Sequence, residues 1–208
     1  MKALKLLLIY CLLLSTFTAC NTKEEDADLK PTASSKTDYL PTTVGSHWTY
    51  GGRLPYTLSV TGAKKDINNK TYYELETVYG TTANKIYVAK EKGIYKTIGL
   101  INGMGDLDIM TLNEATTVGQ SWVQTGNVNG FDVNLTLTVE EVGITKTIAG
   151  HIYEKVINIK IKSNHTYMGA DTGINYTTNY YFAQGVGLIL IDLGKNGQVP
   201  LLDYTVNE

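Results

Sequence analysis

Apolar and polar residues alternate along most of the chain after residue 38. Leu135, Leu137 and Val139 are separated by polar side chains, and isoleucine occupies every second position across 157–161. A period of two predicts β-strands that place one face on a core and the other in water, as antiparallel sheets allow. No segment of this region has apolar residues at the helical period of about 3.6. The pattern therefore predicts one all-β domain over 39–208.

Turn-forming residues separate the alternating runs. They are Gly51-Gly52, Asn68-Asn69, Glu91-Lys92-Gly93, Ala149-Gly150 and Lys195-Asn196-Gly197. The Asn-Gly pair in the last of these favours a hairpin, because both residue types tolerate the backbone angles of a tight turn. The runs between the turns predict about ten strands, and a sheet of that size curves. We therefore expect a strongly curved antiparallel sheet or a partly open barrel.

Three blocks of sequence recur in the same order in the two halves of this region. Residues 42–48 resemble 116–122, the pair Ile67 and Tyr72 resembles Ile148 and Tyr153, and residues 86–94 resemble 180–188. The recurrence predicts two similar β-meanders, over about 40–110 and 111–206, that bury their apolar faces against each other. Chance is the alternative, because the blocks consist of residues common in strands. The expected structural anchors of the repeat are Trp48, Trp122, Tyr87, Tyr181, Gly93 and Gly187.

The amino-terminal residues have the composition of a signal peptide. Lys2 and Lys5 precede an apolar run over 6–17, and small residues lead to Cys20. The run is shorter than the roughly 20 apolar residues that a membrane-spanning helix needs, so residues 1–19 are predicted to be a cleaved signal. Cys20, directly after Ala19, resembles the lipobox cysteine of bacterial lipoproteins, which implies acylation of its thiol. The alternative is an ordinary signal peptide followed by a chance cysteine.

The segment after the cysteine predicts a flexible stalk and a destination. Residues 20–38 contain almost no large apolar side chain and cannot bury enough surface to fold. Asn21 stands where an Asp would resemble the retention signal of inner-membrane lipoproteins, which favours the outer membrane. Residues 23–26, Lys-Glu-Glu-Asp, resemble a tether that directs some lipoproteins to the cell surface. A solvated acidic linker is the alternative for these four residues. The domain is therefore expected either on the periplasmic face of the outer membrane or on the cell surface.

Short motifs at both ends of the domain resemble those of a known group of proteins. The motif residues are Leu40-Pro41, Gly45, Trp48 and Tyr50 near the start, and Tyr180-Tyr181, Ala183, 185–188, Leu201-Leu202 and Tyr204 near the end. In this arrangement most of 40–206 resembles a group of uncharacterised outer-membrane lipoproteins of Gram-negative bacteria. The resemblance implies a curved antiparallel sheet akin to the unclosed barrel of lipoprotein-localisation carriers. It implies no known reaction and supplies no catalytic residues.

Few residues of the chain are suited to catalysis or metal binding. Both cysteines, Cys11 and Cys20, lie at or before the predicted lipidation site, and the three histidines have no neighbour at metal-ligand spacing. Asp106 and Asp108 lie on a glycine-containing segment, 102–108, but miss the spacing of a calcium loop. The formal net charge of −2 provides no basic face for nucleic acid. We therefore expect no enzyme activity, metal, cofactor or nucleic-acid partner.

The second meander contains the best candidates for a ligand site. It is longer than the first around 127–132 and 163–175, which predicts two inserted loops, and loops on a rigid sheet often carry function. Asn164, His165, Tyr167 and Asp171 offer rings for stacking and polar groups for hydroxyls, as a glycan site would. A structural use of the 15 tyrosines on half-buried sheet faces is the alternative.

Three classes of function fit these features, in order of preference. The first is a non-catalytic binding or structural lipoprotein, held at the membrane by the lipid on Cys20. The second is a carrier that binds a lipid or acyl chain in the concave face of the sheet, and the third is a hydrolase. A filled interior favours the first class, whereas an open apolar cavity of about 300 Å³ or more favours the second.

Overall fold

The computed structural model describes residues 37–53, 55–101 and 103–207, which fold into one antiparallel sheet. The predicted signal peptide, Cys20 and nearly all of the predicted stalk lie outside these residues. The helical part of the described residues is a single 3₁₀ turn, Gly194–Asn196, and no helix among them is long and apolar enough to cross a membrane. The twelve strands of the described sheet are β1 (His47–Tyr50), β2 (Tyr56–Ile67), β3 (Lys70–Tyr79), β4 (Thr82–Glu91), β5 (Ile94–Ile98), β6 (Ile109–Asn113), β7 (Ser121–Val128), β8 (Phe131–Ile148), β9 (His151–Tyr167), β10 (Ala170–Ala183), β11 (Gly187–Asp192) and β12 (Gln198–Thr205).

Consecutive strands are neighbours within each half of the sheet. β1 to β6 form one meander and β7 to β12 form a second, and the two join where β1 pairs with β12. The sheet curls until its edge strands, β6 and β7, face each other, which gives a nearly closed barrel. The predicted all-β fold with one curved antiparallel sheet is confirmed. The expected number of about ten strands is wrong, since the described residues form twelve.

Short strands with buried polar residues explain why an alternation pattern undercounts this sheet. β5 and β6 have five residues each. Thr97 and Thr111, one on each strand, are buried, and their hydroxyl oxygens lie 2.6 Å apart in a shared hydrogen bond. Because each threonine satisfies the other, a polar residue occupies an inward position where the pattern expects an apolar one.

Side chains rather than backbone pairs close the barrel between β6 and β7. The Gln124 carboxamide on β7 accepts a hydrogen bond from the Met110 amide at 3.0 Å and donates one to the Met110 carbonyl at 3.2 Å. The Trp122 indole donates to the same carbonyl at 2.8 Å. Gln124 thereby takes the place of a peptide group on a neighbouring strand. The edge of β6 is satisfied at Met110 without a further strand.

The two ends of the barrel differ, and the chain enters at one of them. Asp38 lies at the end with the β2–β3, β4–β5, β8–β9 and β10–β11 turns, here named the near end. There the Gly185 amide donates to the Asp38 carbonyl at 2.8 Å, and Lys90 Nζ lies 2.5 Å from the Asp38 carboxylate. Tyr39 and Leu40 then pack their side chains into the core. The opposite end, with the β7–β8, β9–β10 and β11–β12 turns and the β5–β6 connection, is named the far end.

Large side chains fill the middle of the barrel. The Trp48 indole donates to the Val186 carbonyl at 2.7 Å, and the Tyr50 hydroxyl donates to the Leu188 carbonyl at 2.8 Å. Both bonds satisfy polar groups in the interior and join β1 to the segment around β11. The other fully buried side chains of this core include Tyr95, Phe182, Leu112, Leu135, Leu137, Ile157, Ile159, Ile189 and Leu201.

The recurring sequence blocks fall on corresponding strands of the two meanders, in partly different surroundings. Trp48 is on the first strand of its meander and Trp122 on the first strand of the other, while Tyr87 and Tyr181 occupy the fourth strands. Trp48 is only 2% exposed, whereas Trp122 is partly exposed on an edge strand. Tyr87 is half-buried and Tyr181 is buried. An internal duplication therefore stays a prediction.

The two glycine anchors also differ in their surroundings. Gly93 follows β4 with φ 78°, and Gly187 opens β11 with φ 112°. A side chain on Gly93 would approach Glu114, whereas one on Gly187 would approach Pro41 and the Trp48 indole. Each position favours glycine because its backbone lies in the left-handed region.

The two segments expected to be inserted loops are strands instead. Residues 127–132 form the β7–β8 hairpin, which turns at Asn129-Gly130, and residues 163–175 form the β9–β10 hairpin, which turns at Met168-Gly169. Their backbones pair across the sheet, so the longer second meander extends existing hairpins at the far end. The alternation of apolar and polar residues does not reveal this extension, because both faces of a projecting hairpin can be exposed to water and carry polar residues.

Candidate functional site

A pocket of about 550 Å³ opens at the far end of the barrel. Its deep wall consists of apolar core side chains, Ile101, Met104, Leu135, Ile161 and Tyr180. The volume falls in the range of about 300–1,000 Å³ that is typical of small-molecule sites. The cavity next to Trp48 measures only about 20 Å³. The barrel interior is therefore filled in its middle and open at one end.

β9 and β10 form one wall of the pocket, because their alternation continues beyond the core. Ile161 belongs to the core, and the next two inward positions on β9 are Ser163 and His165. On β10, Thr178 pairs with Ile161 and Tyr176 pairs with Ser163. The wall thus changes from apolar to polar as the strands leave the barrel.

His165 presents an unsatisfied nitrogen in this wall. Its Nε2 is buried and has no hydrogen-bond partner among the described residues. The ring meets Tyr176 edge-on with centroids 6.1 Å apart, and the His165 carbonyl accepts a hydrogen bond from Thr172 Oγ1 at 2.6 Å. Leaving a buried polar atom without a partner costs about 1–3 kcal/mol. A polar group of a ligand would remove that cost.

The β11–β12 turn contributes to the rim of the pocket. The Asp192 carboxylate accepts a hydrogen bond from the Gly194 amide at 2.9 Å and another from Gln198 Nε2 at 3.3 Å. Gly194 has φ 61°, in the left-handed region that glycine adopts most readily. These features fix the turn that carries Lys195 and Asn196 at the rim.

The β5–β6 connection folds over the barrel mouth next to β7. Its backbone is held by hydrogen bonds from the Met104 amide to the Ile101 carbonyl at 3.1 Å and from the Leu107 amide to the Met104 carbonyl at 3.2 Å. Leu107 fits against Gly126, where an added Cβ would lie 2.3 Å from Leu107 Cδ2. Glycine on β7 therefore allows this close approach, which brings Ile101 and Met104 to the pocket.

The structure separates the four residues expected to form a ligand site. His165 lines the pocket, whereas Asn164 does not; the Asn164 amide donates a hydrogen bond at 2.7 Å to Oδ1 of Asn175, which does line it. Tyr167 lies at the hairpin tip, 46% exposed, with its ring centroid 5.4 Å from that of Phe131. Asp171 is exposed and accepts a hydrogen bond from the Gly173 amide at 2.9 Å.

The sequence pattern did not identify the other residues of the pocket. Continuing the alternation of β9 beyond Ile161 would have placed Ser163 and His165 on the inner face. Lys195, Ile101 and Met104 carry no such signal, because they stand on two connections that are distant in sequence and meet only in the folded barrel.

Of the two acidic residues of the β5–β6 connection, Asp108 takes part in a structural contact. Asp108 forms a salt bridge with Lys96 Nζ at 2.8 Å. Burial raises the pKa of Tyr72, and the nearby Asp108 carboxylate raises it further. Asp106 is exposed. In the described part of the chain, no group of three His, Cys, Asp or Glu side chains is arranged to hold a metal ion.

Two solved structures are similar to this chain in fold. No protein-family model matches the chain, and no curated protein matches its sequence. A proposed lipoprotein from Parabacteroides distasonis aligns over 82% of this chain and 99% of its own, with a TM-score of 0.52 and 11% identity. A proposed exported protein with a YmcC-like fold from Bacteroides fragilis aligns over 80% and 98%, with a TM-score of 0.52 and 10% identity. At these identities the likeness shows a shared fold.

Proposed function

We propose that this chain is an outer-membrane lipoprotein, anchored by acyl chains on Cys20, whose barrel binds a small, partly apolar ligand without catalysis. The observation that carries the binding role is the pocket of about 550 Å³ at the far end. Protein cores are packed to nearly crystalline density, so an opening of this size is atypical of a domain built for stability alone. Its apolar depth and polar rim are the usual composition of a small-molecule site.

Sequence and topology together support the anchoring part of the proposal. The apolar run over 6–17 is followed closely by Ala19-Cys20. Position 21 is Asn, whereas the inner-membrane retention signal has Asp there. The chain enters the barrel at the near end, where Asp38 is fixed by Lys90 and Gly185. The stalk therefore attaches at the end opposite the pocket, and the pocket opens away from the attachment point.

A non-catalytic role is supported by the groups around the pocket. Ser163 and His165 are the nearest approach to a nucleophile and a base in its wall. Catalysis by such a pair needs a hydrogen bond between them, yet His165 Nε2 has no partner among the described residues. We therefore propose binding in place of hydrolysis.

An acyl chain is the second candidate for the ligand. The deep wall of the pocket is continuous with the barrel core through Leu135 and Ile161, which belong to both. Each methylene buried there would contribute about 0.8 kcal/mol. A permanent anchor on Cys20 fits a receptor at the membrane better than a freely diffusing shuttle.

We expect Cys20→Ser to abolish lipidation. Two or three acyl chains hold a protein firmly in a bilayer, so the variant loses its anchor together with its lipid. The measurement is incorporation of tritiated palmitate, followed by partition between detergent and aqueous phases. Cys11→Ser is the control, because that thiol is removed with the signal peptide; it keeps the label, and the labelled chain sediments with outer membranes in a density gradient. A labelled Cys20→Ser variant contradicts the anchor, and sedimentation of the wild type with inner membranes contradicts the location.

We expect Thr178→Trp to close the pocket. Thr178 lines it, and an indole there would fill much of the space between β9 and the β11–β12 turn. The full chain in lipid nanodiscs should bind the apolar fluorophore phenylnaphthylamine, measured as fluorescence above that of protein-free nanodiscs. The substitution should weaken that binding by about tenfold or more, because a filled site excludes the probe.

Thr136→Trp is the matched control. Thr136 lies on β8 opposite Lys162 and is absent from the pocket wall. This variant should bind the fluorophore as the wild type does. The binding role would be contradicted if the wild-type chain gave no fluorescence above that of the protein-free nanodiscs. It would also be contradicted if Thr178→Trp and Thr136→Trp lost fluorophore binding to the same extent.

A further inference from the structure

The pocket rim is electrostatically one-sided. Among the described residues that line the pocket, the basic side chains are Lys195 and His165, and none is Asp or Glu. Lys195 forms no salt bridge in the part of the chain that the structure describes. The nearest acid along the turn, Asp192, is engaged by the Gly194 amide and the Gln198 side chain. Lys195 and His165, which carries a buried nitrogen without a partner among the described residues, therefore line the same pocket.

The apolar and polar parts of the pocket lie at different depths. Ile101, Met104, Leu135 and Ile161 belong to the core and form the deep wall, whereas Lys195 stands on the exposed turn. A uniformly apolar molecule would leave the imidazole nitrogen without a partner, and that is unfavourable for a buried polar atom. A uniformly polar molecule would place its own polar groups against apolar side chains, which costs desolvation energy.

We propose that the ligand has an apolar body and a single anionic head, a carboxylate, sulfate or phosphate monoester, with the head at Lys195 and His165. This inference rests on the proposed binding function and specifies the ligand class of the same pocket. The body lies on Leu135 and Ile161, and the head accepts hydrogen bonds from Lys195 Nζ and His165 Nε2. Hydrogen bonds to an ionised group are about twice as strong as neutral ones, so the head determines which ligands bind.

Two fluorophores that share one ring system test this assignment. Anilinonaphthalene sulfonate carries an anionic group, and phenylnaphthylamine is the same skeleton without it. The full chain in nanodiscs should bind the sulfonate about tenfold or more tightly than the neutral probe, after subtraction of protein-free nanodiscs. Lys195→Met and His165→Phe should each reduce the preference for the sulfonate over the neutral probe by about fivefold or more.

Matched substitutions separate charge recognition from other effects. Lys195→Arg keeps the charge and should retain sulfonate binding. Lys162→Met removes the same charge from an exposed position on β9 that does not line the pocket, and should have no effect. These positions are at least partly exposed, so their variants are expected to fold, which circular dichroism checks.

Each other outcome rejects a specific statement. Equal binding of the two probes, unaltered in Lys195→Met, would overturn the anionic head and leave the binding role in place. Equal weakening of both probes by the pocket variants would assign Lys195 and His165 a structural role and overturn the inference as well. No binding of either probe above the protein-free nanodiscs would overturn the proposed function together with it.

Discussion

Replacing Trp48 with alanine is expected to lower the free energy of unfolding by about 3–5 kcal/mol, the usual range for a buried aromatic side chain. Trp48 lies in the middle of the barrel, and its indole donates to the Val186 carbonyl at 2.7 Å. Truncation would leave a cavity and an unsatisfied carbonyl. Chemical denaturation followed by circular dichroism measures the loss, provided that the slope of free energy against denaturant is unchanged.

Trp122→Ala is the informative comparison. Its indole also donates to a backbone carbonyl, that of Met110 at 2.8 Å, but the ring is partly exposed on an edge strand. Less surface is uncovered on truncation, so we expect a smaller loss of about 1–3 kcal/mol. Trp48→Phe keeps most of the buried ring and loses the bond to Val186, which should cost about 1–3 kcal/mol. Equal losses for the two alanine variants would mean that the rings are equivalent anchors, as a strict repeat predicts.

The alternating pattern predicted much of the sheet because it reports which face of a strand is buried. Leu137 and Val139 on β8 pair with Ile161 and Ile159 on β9, and all four lie in the core. The glycine and asparagine turns mark five of the connections between strands. Such features depend on nearest neighbours in sequence, and a local pattern can therefore reveal them.

The closure of the barrel and its pocket depend on contacts that no local pattern contains. Gln124 is a polar residue in a strand, and nothing in its neighbourhood indicates that its carboxamide satisfies Met110. The pocket forms where the β5–β6 connection and the β11–β12 turn meet over the end of the barrel. The sequence predicts His165 as a ligand-site residue on an inserted loop, whereas the structure places it on β9 in the pocket wall.

Tyr95→Ala is expected to destabilise the protein by about 3–5 kcal/mol, because it removes a buried aromatic side chain from the near end. Tyr95 is 0% exposed, its hydroxyl donates to Glu114 Oε1 at 2.5 Å, and it accepts a hydrogen bond from the Tyr39 amide at 2.9 Å. Tyr95→Phe should cost about 1.5–3 kcal/mol, the usual value for hydrogen bonds that involve a charged group. Removal of the hydroxyl should also loosen the first residues of the fold, which would be measured as faster hydrogen exchange of the Tyr39 amide.

Tyr73→Phe is the matched control for the hydroxyl. The Tyr73 ring is half-buried beneath Lys64, whose Nζ lies 4.9 Å from the ring centroid, and the hydroxyl makes no hydrogen bond among the described residues. Its removal should change the free energy of unfolding by less than about 0.5 kcal/mol. A similar cost for the two phenylalanine variants would mean that the Tyr95 hydroxyl contributes nothing specific.

The pH dependence isolates the bond between Tyr95 and Glu114. Burial raises the pKa of Glu114, but the hydrogen bonds from Lys90 and Tyr95 outweigh it and hold that pKa below the usual 4.5. A carboxyl with a lowered folded-state pKa contributes stability that is present above its unfolded pKa and is lost as the pH falls through the folded value.

The wild type should therefore lose stability below pH 4.5. Tyr95→Phe should lose less there, because the pKa of Glu114 moves back toward its usual value once one donor is gone. The difference in free energy of unfolding between the wild type and Tyr95→Phe, measured by urea unfolding, should therefore become smaller as the pH falls from about 7 to about 3. A constant gap would show that the hydroxyl acts through Tyr39 alone.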